Sequence, residues 1–566
     1  MKLKKIIEII KLLILSLSFA VLMSLFWTVD YYIYVDLVIN VLFFVSIINI
    51  VYVFIYENII MKNRNFPAMA TICGIWFGFL KFAEIYSLFM DAGVVSHREF
   101  LIVVTVITLI FLGFYIYRTF IQSFKIKTDI RIRPYAMIVL SFISAIFIGT
   151  ILLFLPVSRA AGAPPLSLVD SLFTATSAVC VTGLIVVDTG TYFSQFGQIV
   201  ILGLIQIGAL GIMTFAGFFT LFLGEKMSLY SKITTRHALN DIGASVTTKF
   251  IRAIIFTTFI IEIIGAGLLF IEFRKHFPLG EAIYTSVFHS ISAFCNAGFS
   301  IYSDSVTAFV SNPLINIVMM LLIIIGGLGF FVILNVLNVI KKKKRRISLH
   351  TRIVVMTSIF LVIIGAVVFF LLEYNNILAE KSIGESVLVS FFSSVTTRTA
   401  GFNTVDFSSA KGVTLFFIVV LMFIGASPGS TGGGIKTTTF TTIALTAYNT
   451  LRGRPMVRFF GREFPVKVIR KAIVMFFISI TWVTVISIVI GSIEDFDMMR
   501  VLFETVSAFG TVGLSTGITS DLSNLSKILI TITMFAGRVG FFTLMLSLGF
   551  EKRTEIRRPE EKVIIG

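Results

Sequence analysis

The chain has 566 residues, 57% of them hydrophobic, and a mean hydropathy of +0.98. That balance excludes a soluble globular domain and sets the class as a polytopic membrane protein. A net charge of +17 would suit RNA, but the basic residues flank apolar segments, so no nucleic-acid partner is expected.

A bilayer-spanning helix needs roughly 20 apolar residues. Twelve segments qualify, centred on residues 8–28, 33–56, 66–90, 100–121, 135–156, 196–223, 250–272, 313–338, 352–373, 413–447, 470–491 and 525–549. The first lacks a small-residue cleavage site and more spans follow it, so it reads as an anchor, not a signal peptide. Basic clusters occupy one alternating set of loops: Met1–Lys5, Lys62–Arg64, Lys125–Arg133, Lys226–Arg236, Lys341–Arg346, Arg452–Arg470 and Glu551–Arg553. The opposite loops, Asp91–Glu99, Arg159–Asp170, Phe273–Glu281, Glu373–Glu385 and Glu494–Asp497, are less basic. The positive-inside rule then places both termini in the cytoplasm.

Residues 1–125 carry four spans without a repeat signature. From residue 134 a span, a short re-entrant loop and a second span recur over 134–223, 249–340, 351–449 and 470–550, and 551–566 is a cytoplasmic tail. The loops carry the match. They read Phe173 to Gly183, Phe288 to Gly298, Phe391 to Gly401 and Phe503 to Gly513, each with Phe ten residues before the glycine. Ser-Ala stands six and five residues before the glycine in all but the third. The glycines are about 115, 103 and 112 residues apart, which is a fourfold internal repeat. The expected fold is all-α, with four parallel span–loop–span repeats around a central pore plus four extra N-terminal transmembrane helices.

Irregular backbone at membrane depth is tolerated only where it is buried in protein or lines a cavity. A dehydrated cation needs oxygen ligands, and backbone carbonyls supply them without charge, so that the ion can leave again. Aiming successive carbonyls at one axis demands unusual backbone angles and no intruding side chain, and glycine gives both. Upstream Ser and Thr hydroxyls can tie each loop to its own short helix. A single such glycine would be read as helix packing; four at one matched offset point to a filter. Cys180 and Cys295 are expected to pack behind it as small apolar groups, and with Cys73 they form neither a disulfide framework nor a metal site.

These loops resemble those of the Trk/Ktr/HKT superfamily of potassium transporters, most like a Ktr/Trk-type pore subunit. The likeness covers residues 134–566. It rests on Val181-Thr182-Gly183, Asn296-Ala297-Gly298, Thr399-Ala400-Gly401 and Thr511-Val512-Gly513, on the broken span of the third repeat, and on the terminal Pro559–Gly566. The resemblance implies K+ bound at Gly183, Gly298, Gly401 and Gly513, and potassium uptake through a channel-like pore. A serine at the first glycine would mark a sodium-permeant relative. The resemblance further implies a homodimer, each subunit with its own pore, in a bacterial plasma (inner) membrane among its lipids. Nucleotide is expected on a cytoplasmic regulatory ring of RCK type, with no cofactor on this chain. The four N-terminal spans exceed the shorter Ktr pattern and look like an enlarged version of the extra helices of Trk-type members.

The third repeat's second span is broken by Gly425, Ser427, Pro428, Gly429, Ser430, Gly432, Gly433, Gly434 and Lys436. As a phosphate loop this stretch fails, because the lysine is one residue late and no strand precedes it. By resemblance it is an intramembrane gating loop; a plain kinked helix is the alternative. Arg538, deep in the last span, is costly there unless it faces water or acid. The resemblance places it beside that loop, and snorkelling to an interface is the alternative.

Other intramembrane charges say less. Lys81 and Glu84, three apart on a helix, are expected to pair, and Glu262 has no partner nearby in sequence. Asp170 and Glu504 are expected at the starts of re-entrant helices, as caps or as cation attractors. The five histidines are scattered without ligand spacing, so the chain is not read as a membrane enzyme. The runner-up function is a sodium-permeant or sodium-coupled carrier; parallel repeats disfavour it, because alternating-access carriers commonly use inverted ones.

Overall fold

In lipid a backbone has no solvent partner, so apolar stretches fold as helices and stop where glycine or proline intervenes. The computed structural model describes residues 134–222, 244–341, 346–454 and 456–547. Expectations placed on residues 1–125 (Cys73, Lys81 and Glu84 among them), on Lys125–Arg133 and Lys226–Arg236, on most of Lys341–Arg346 and on the tail 551–566 lie outside the described residues.

Helices then follow in four successions. The first holds α1 (Pro134–Phe154), α2 (Leu168–Cys180), α3 (Thr189–Tyr192) and α4 (Gln195–Phe222). Next come α5 (Ala244–His276), α6 (Leu279–Cys295), α7 (Pro313–Leu328) and α8 (Phe330–Ile340). The third holds α9 (Leu349–Glu373), α10 (Ile383–Thr396), α11 (Gly412–Phe423) and α12 (Thr437–Leu451). A two-residue hairpin, β1 (Arg458–Phe459) antiparallel to β2 (Arg462–Glu463), leads to α13 (Val466–Ile493), α14 (Met498–Gly510), α15 (Asn524–Val539) and α16 (Phe541–Ser547).

Among the described residues three helices are long and apolar enough to cross a membrane: Ala253–His276 within α5, then α9 and α13. Together α7 and α8, bent by 99°, make a fourth when counted as one span. The protein is an all-α polytopic membrane protein. Segments 313–338 and 525–549, read from hydropathy as single spans, are each broken, at Gly329 (φ 91°) and Gly540 (φ 80°). Gly211, at φ 66°, kinks α4 in the same way.

The short helices α2, α6, α10 and α14 are the buried elements. Three begin on a side-chain cap: Ser167 for α2, Ser382 with Glu385 in a reciprocal box for α10, and Asp497 for α14. Hydrogen bonds from Ser311 and Ser382 hold the Glu385 carboxyl below its ordinary range. Phe173, Phe288 and Phe503 are fully buried, as their matched spacing predicts. The third copy departs from that register: Phe391 is 38% exposed and Phe392 is buried in its place. Its helix stops at Thr396, and Thr397 keeps a right-handed backbone, so the phenylalanine nearest the core moves by one.

Asp170 lies in the first turn of α2, and Lys527 in the first turn of α15 binds it with Nζ–Oδ1 2.8 Å. The other carboxylate oxygen accepts from Ser167 Oγ at 2.7 Å. This pair joins the first and last successions across 357 residues. Lys527→Met leaves a mostly buried carboxylate without its cation, at a cost of about 1–3 kcal/mol. A lower Tm in detergent is the expected result, and an unchanged Tm shows that water already screens the pair.

Candidate functional site

The four loop glycines meet. Each has positive φ, at 90°, 72°, 78° and 92° for Gly183, Gly298, Gly401 and Gly513. A methyl group built on Gly183 would lie 2.4 Å from Ala297 O, and one on Gly298 would lie 2.9 Å from Ala400 O. On Gly401 it would meet Val512 O at 2.4 Å, and on Gly513 it would meet Thr182 O at 2.2 Å. Each glycine therefore abuts the carbonyl that precedes the next glycine, and the fourth returns to the first. The result is a closed ring in chain order, with no room for a side chain on any member.

Capping geometry sets this backbone. Val181, Asn296 and Thr511 end α2, α6 and α14 in the left-handed region, at φ 57°, 60° and 49°. The next residue's N–H donates back to the serine six before the glycine: Thr182 to Ser177 O, Ala297 to Ser292 O and Val512 to Ser507 O, each 2.8 Å. Hydroxyls finish the anchoring. Ser177 Oγ and Ser507 Oγ accept from Gly183 N and Gly513 N at 3.1 Å. Ser292 Oγ and Thr396 Oγ1 donate to Phe299 O and Phe402 O at 2.7 and 2.6 Å. The third loop reaches its left-handed residue at Thr399 (φ 69°), two residues beyond its helix cap.

The second helices press close behind. A methyl on Gly208, Gly326 or Gly537 would fall 1.9 Å from the carbonyl oxygen of Val179, Phe294 or Phe509. Those carbonyls stand four residues before the loop glycines. These three glycines let the second helices close on the loop helices.

Between α11 and α12 the chain is non-helical from Gly425 to Lys436. Pairing of Ile424 with Ile435 closes the neck of this loop. It touches the glycine loops directly: Gly433 N donates to Thr511 Oγ1 at 2.8 Å. A methyl on Gly432 would lie 2.0 Å from Thr399 Oγ1. Ser427 N donates to Gly327 O at 3.1 Å, and Gly429 O accepts from Phe330 N at 3.0 Å, across the break between α7 and α8. Two cations bind its carbonyls. Lys436 Nζ donates to Gly432 O at 2.7 Å and Gly433 O at 3.3 Å, so the lysine is not presented to a phosphate. Arg538 donates through Nη1 to Thr431 O and through Nη2 to Gly208 O at 2.5 Å, and does not snorkel.

Three features escape sequence reading. Glu262 has a partner after all: Gln206 Nε2 donates to its two oxygens at 3.0 and 3.1 Å, and Cys295 Sγ lies 3.3 Å from Gln206 Oε1. Cys295 is therefore polar in use, whereas Cys180 is buried and only packs. Glu504 is the seventh residue of α14, not its start, and caps nothing. It is buried and accepts from Ser515 Oγ, from Thr516 N at 3.0 Å and from Thr519 Oγ1 at 3.0 Å. The matching position in the second loop is His289, whose Nε2 lies 3.0 Å from Ser300 Oγ. In both cases a residue nine before the glycine straps the serine two after it. The signal was present as Ser300 and Ser515, both at that offset.

Residues 101–552 match the family model described as TrkH, cation transport protein. Over 451 residues the chain is 38% identical to the Ktr system potassium uptake protein B of Bacillus subtilis (strain 168), covering 79% of this chain and 100% of that protein. It is 37% identical over 434 residues to the Ktr system potassium uptake protein B of Vibrio alginolyticus, covering 76% and 94%. Among solved structures it is similar to the potassium transporter TrkH from Vibrio parahaemolyticus, with TM-score 0.60 over 75% of this chain and 86% of that one. At 19% identity that likeness carries the fold alone. The family match spans well over half the chain, and a full-length relative stands above 30% identity; the chain belongs to the TrkH family of cation transport proteins.

Proposed function

We propose that this chain takes up potassium through a channel-like pore, and that its four glycine loops are the selectivity filter. The observation that carries the reading is the closed ring in which Gly183, Gly298, Gly401 and Gly513 each abut the next loop's carbonyl. Such a ring offers an alkali ion backbone oxygens from four sides and no charge to trap it. The filter then comprises Val181–Gly183, Asn296–Gly298, Thr399–Gly401 and Thr511–Gly513, from four parallel repeats about one axis. The loop Gly425–Lys436 is its gate, braced within itself by Lys436 and pinned to α4 by Arg538. Potassium as the cargo is supported by the relatives named as potassium uptake proteins. Family members are transporters, not enzymes.

The rest of the assembly follows from the same reading. Two copies form the unit, both termini lie in the cytoplasm of a bacterial cell, and an RCK-type ring binds the regulatory nucleotide. Purified full-length protein in liposomes tests the core claim. Tracer rubidium should enter down its gradient and be displaced by potassium far better than by sodium. Equal displacement by the two ions would refute a potassium filter.

A further inference from the structure

Arg398 stands immediately before Thr399 and is only 7% exposed. Its guanidinium has no partner among the described residues. Nε and Nη2 are buried without a hydrogen bond, and no carboxylate pairs with it. These two N–H groups share one edge of the guanidinium, the edge that grips an anion side-on. Arg398 lines a cavity of about 10 Å³ whose other walls are Ile323, Ile324 and Gly327 of α7, Val362 of α9 and Val395 of α10.

Every other wall is apolar. A guanidinium keeps its charge under all ordinary conditions, and a buried one is stable only where carbonyls accept its N–H groups, as at Arg538, or with a countercharge. Those three helices offer none nearby. Among the described residues α7 has no acid, and the acids of α9 and α10 sit at far ends. Glu373 ends α9, about 16 Å along its axis from Val362, and is engaged by Thr414 Oγ1, Asn376 and Lys411 N. Glu385 begins α10, about 15 Å from Val395, and is closed into its capping box. The volume bounds the guest: it takes one water-sized body, and a halide, slightly larger, fits once the Ile323, Ile324 and Val362 side chains yield a little, whereas a phosphate or a lipid carboxylate does not fit.

We propose that this cavity is an anion site, taking one monatomic inorganic anion, chloride under ordinary conditions, on the Nε–Nη2 edge of Arg398. Water would satisfy the two donors but leave the charge uncompensated. The anion cancels the field of Arg398 at Thr399–Gly401, the adjoining residues. That consequence rests on the filter reading, whereas the site itself rests on the cavity and the guanidinium.

Crystals of the wild-type full-length chain grown in potassium bromide, measured at the bromine absorption edge, test the site without any transport assay. An anomalous peak within hydrogen-bond reach of Nε and Nη2 is expected; density there without anomalous signal is water and overturns the proposal. Thermal unfolding in bromide against gluconate, at equal ionic strength, gives a second readout. Wild type should unfold several degrees higher in bromide, with that difference lost in Arg398→Gln; equal wild-type Tm in the two salts also overturns the site. Where Arg398→Gln does not fold, the wild-type map decides alone.

Discussion

Gly183→Ser is expected to admit sodium. The substitution puts a Cβ where Ala297 O lies 2.4 Å away, at a φ of 90° that side chains rarely adopt. Relief comes only by moving that carbonyl or the Gly183 backbone, and both belong to the ring. The hydroxyl also adds an oxygen to the ring, which suits a smaller, more strongly hydrated ion. Discrimination between potassium and sodium should fall at least about tenfold, equivalent to about 1.4 kcal/mol. Competition between tracer rubidium and sodium uptake in proteoliposomes measures it. Gly412→Ser is the control, because nothing lies within 4 Å of a Cβ at Gly412 and its φ is not positive. An unchanged ion ratio for Gly183→Ser, with normal expression, removes the first loop from the proposed filter.

The ring was legible in the chain because its requirement is local. A left-handed cap followed by a side-chain-free residue has to be written as x-x-Gly after a short helix, and four copies print the pattern four times. The break at Gly425–Lys436 was legible for the same reason. What escaped depends on partners far apart in sequence. Gln206 and Glu262 are 56 residues apart, and Lys527 and Asp170 are 357 apart. No periodicity announces such pairs. Glu504 was misplaced because a carboxylate near a helix start suggests a cap, while the helix in fact begins at Met498 after Asp497 has taken that role. The shift from Phe391 to Phe392 has a similar origin: a fixed offset from glycine assumes four identical caps, and the third loop inserts a right-handed Thr397. Hydropathy merged α7 with α8 because both halves are apolar, and only the backbone at Gly329 separates them.

Arg538→Ala is expected to raise the maximum flux, and the way it combines with a loop deletion identifies how Arg538 works. Its guanidinium donates to Thr431 O in the loop and to Gly208 O in α4, so it pins the loop to a helix of another succession. Hydrogen bonds from a charged donor are worth about 1.5–3 kcal/mol each. Losing part of that bias should raise the open population by about ten- to a hundredfold where the loop is mostly closed. Deleting Gly429–Gly434 removes the pinned segment itself. If Arg538 acts through the loop, the deletion alone reaches the ceiling, and adding Arg538→Ala to it changes nothing, because both steps remove one interaction. If instead the cation repels passing ions by its own charge, the deletion leaves that barrier standing and the double variant conducts faster still. Single-variant flux equal to wild type, in protein of normal Tm, would show that neither pin nor charge limits the rate. The four proteins, wild type, Arg538→Ala, the deletion and the double variant, are compared in one rubidium flux assay at matched protein density.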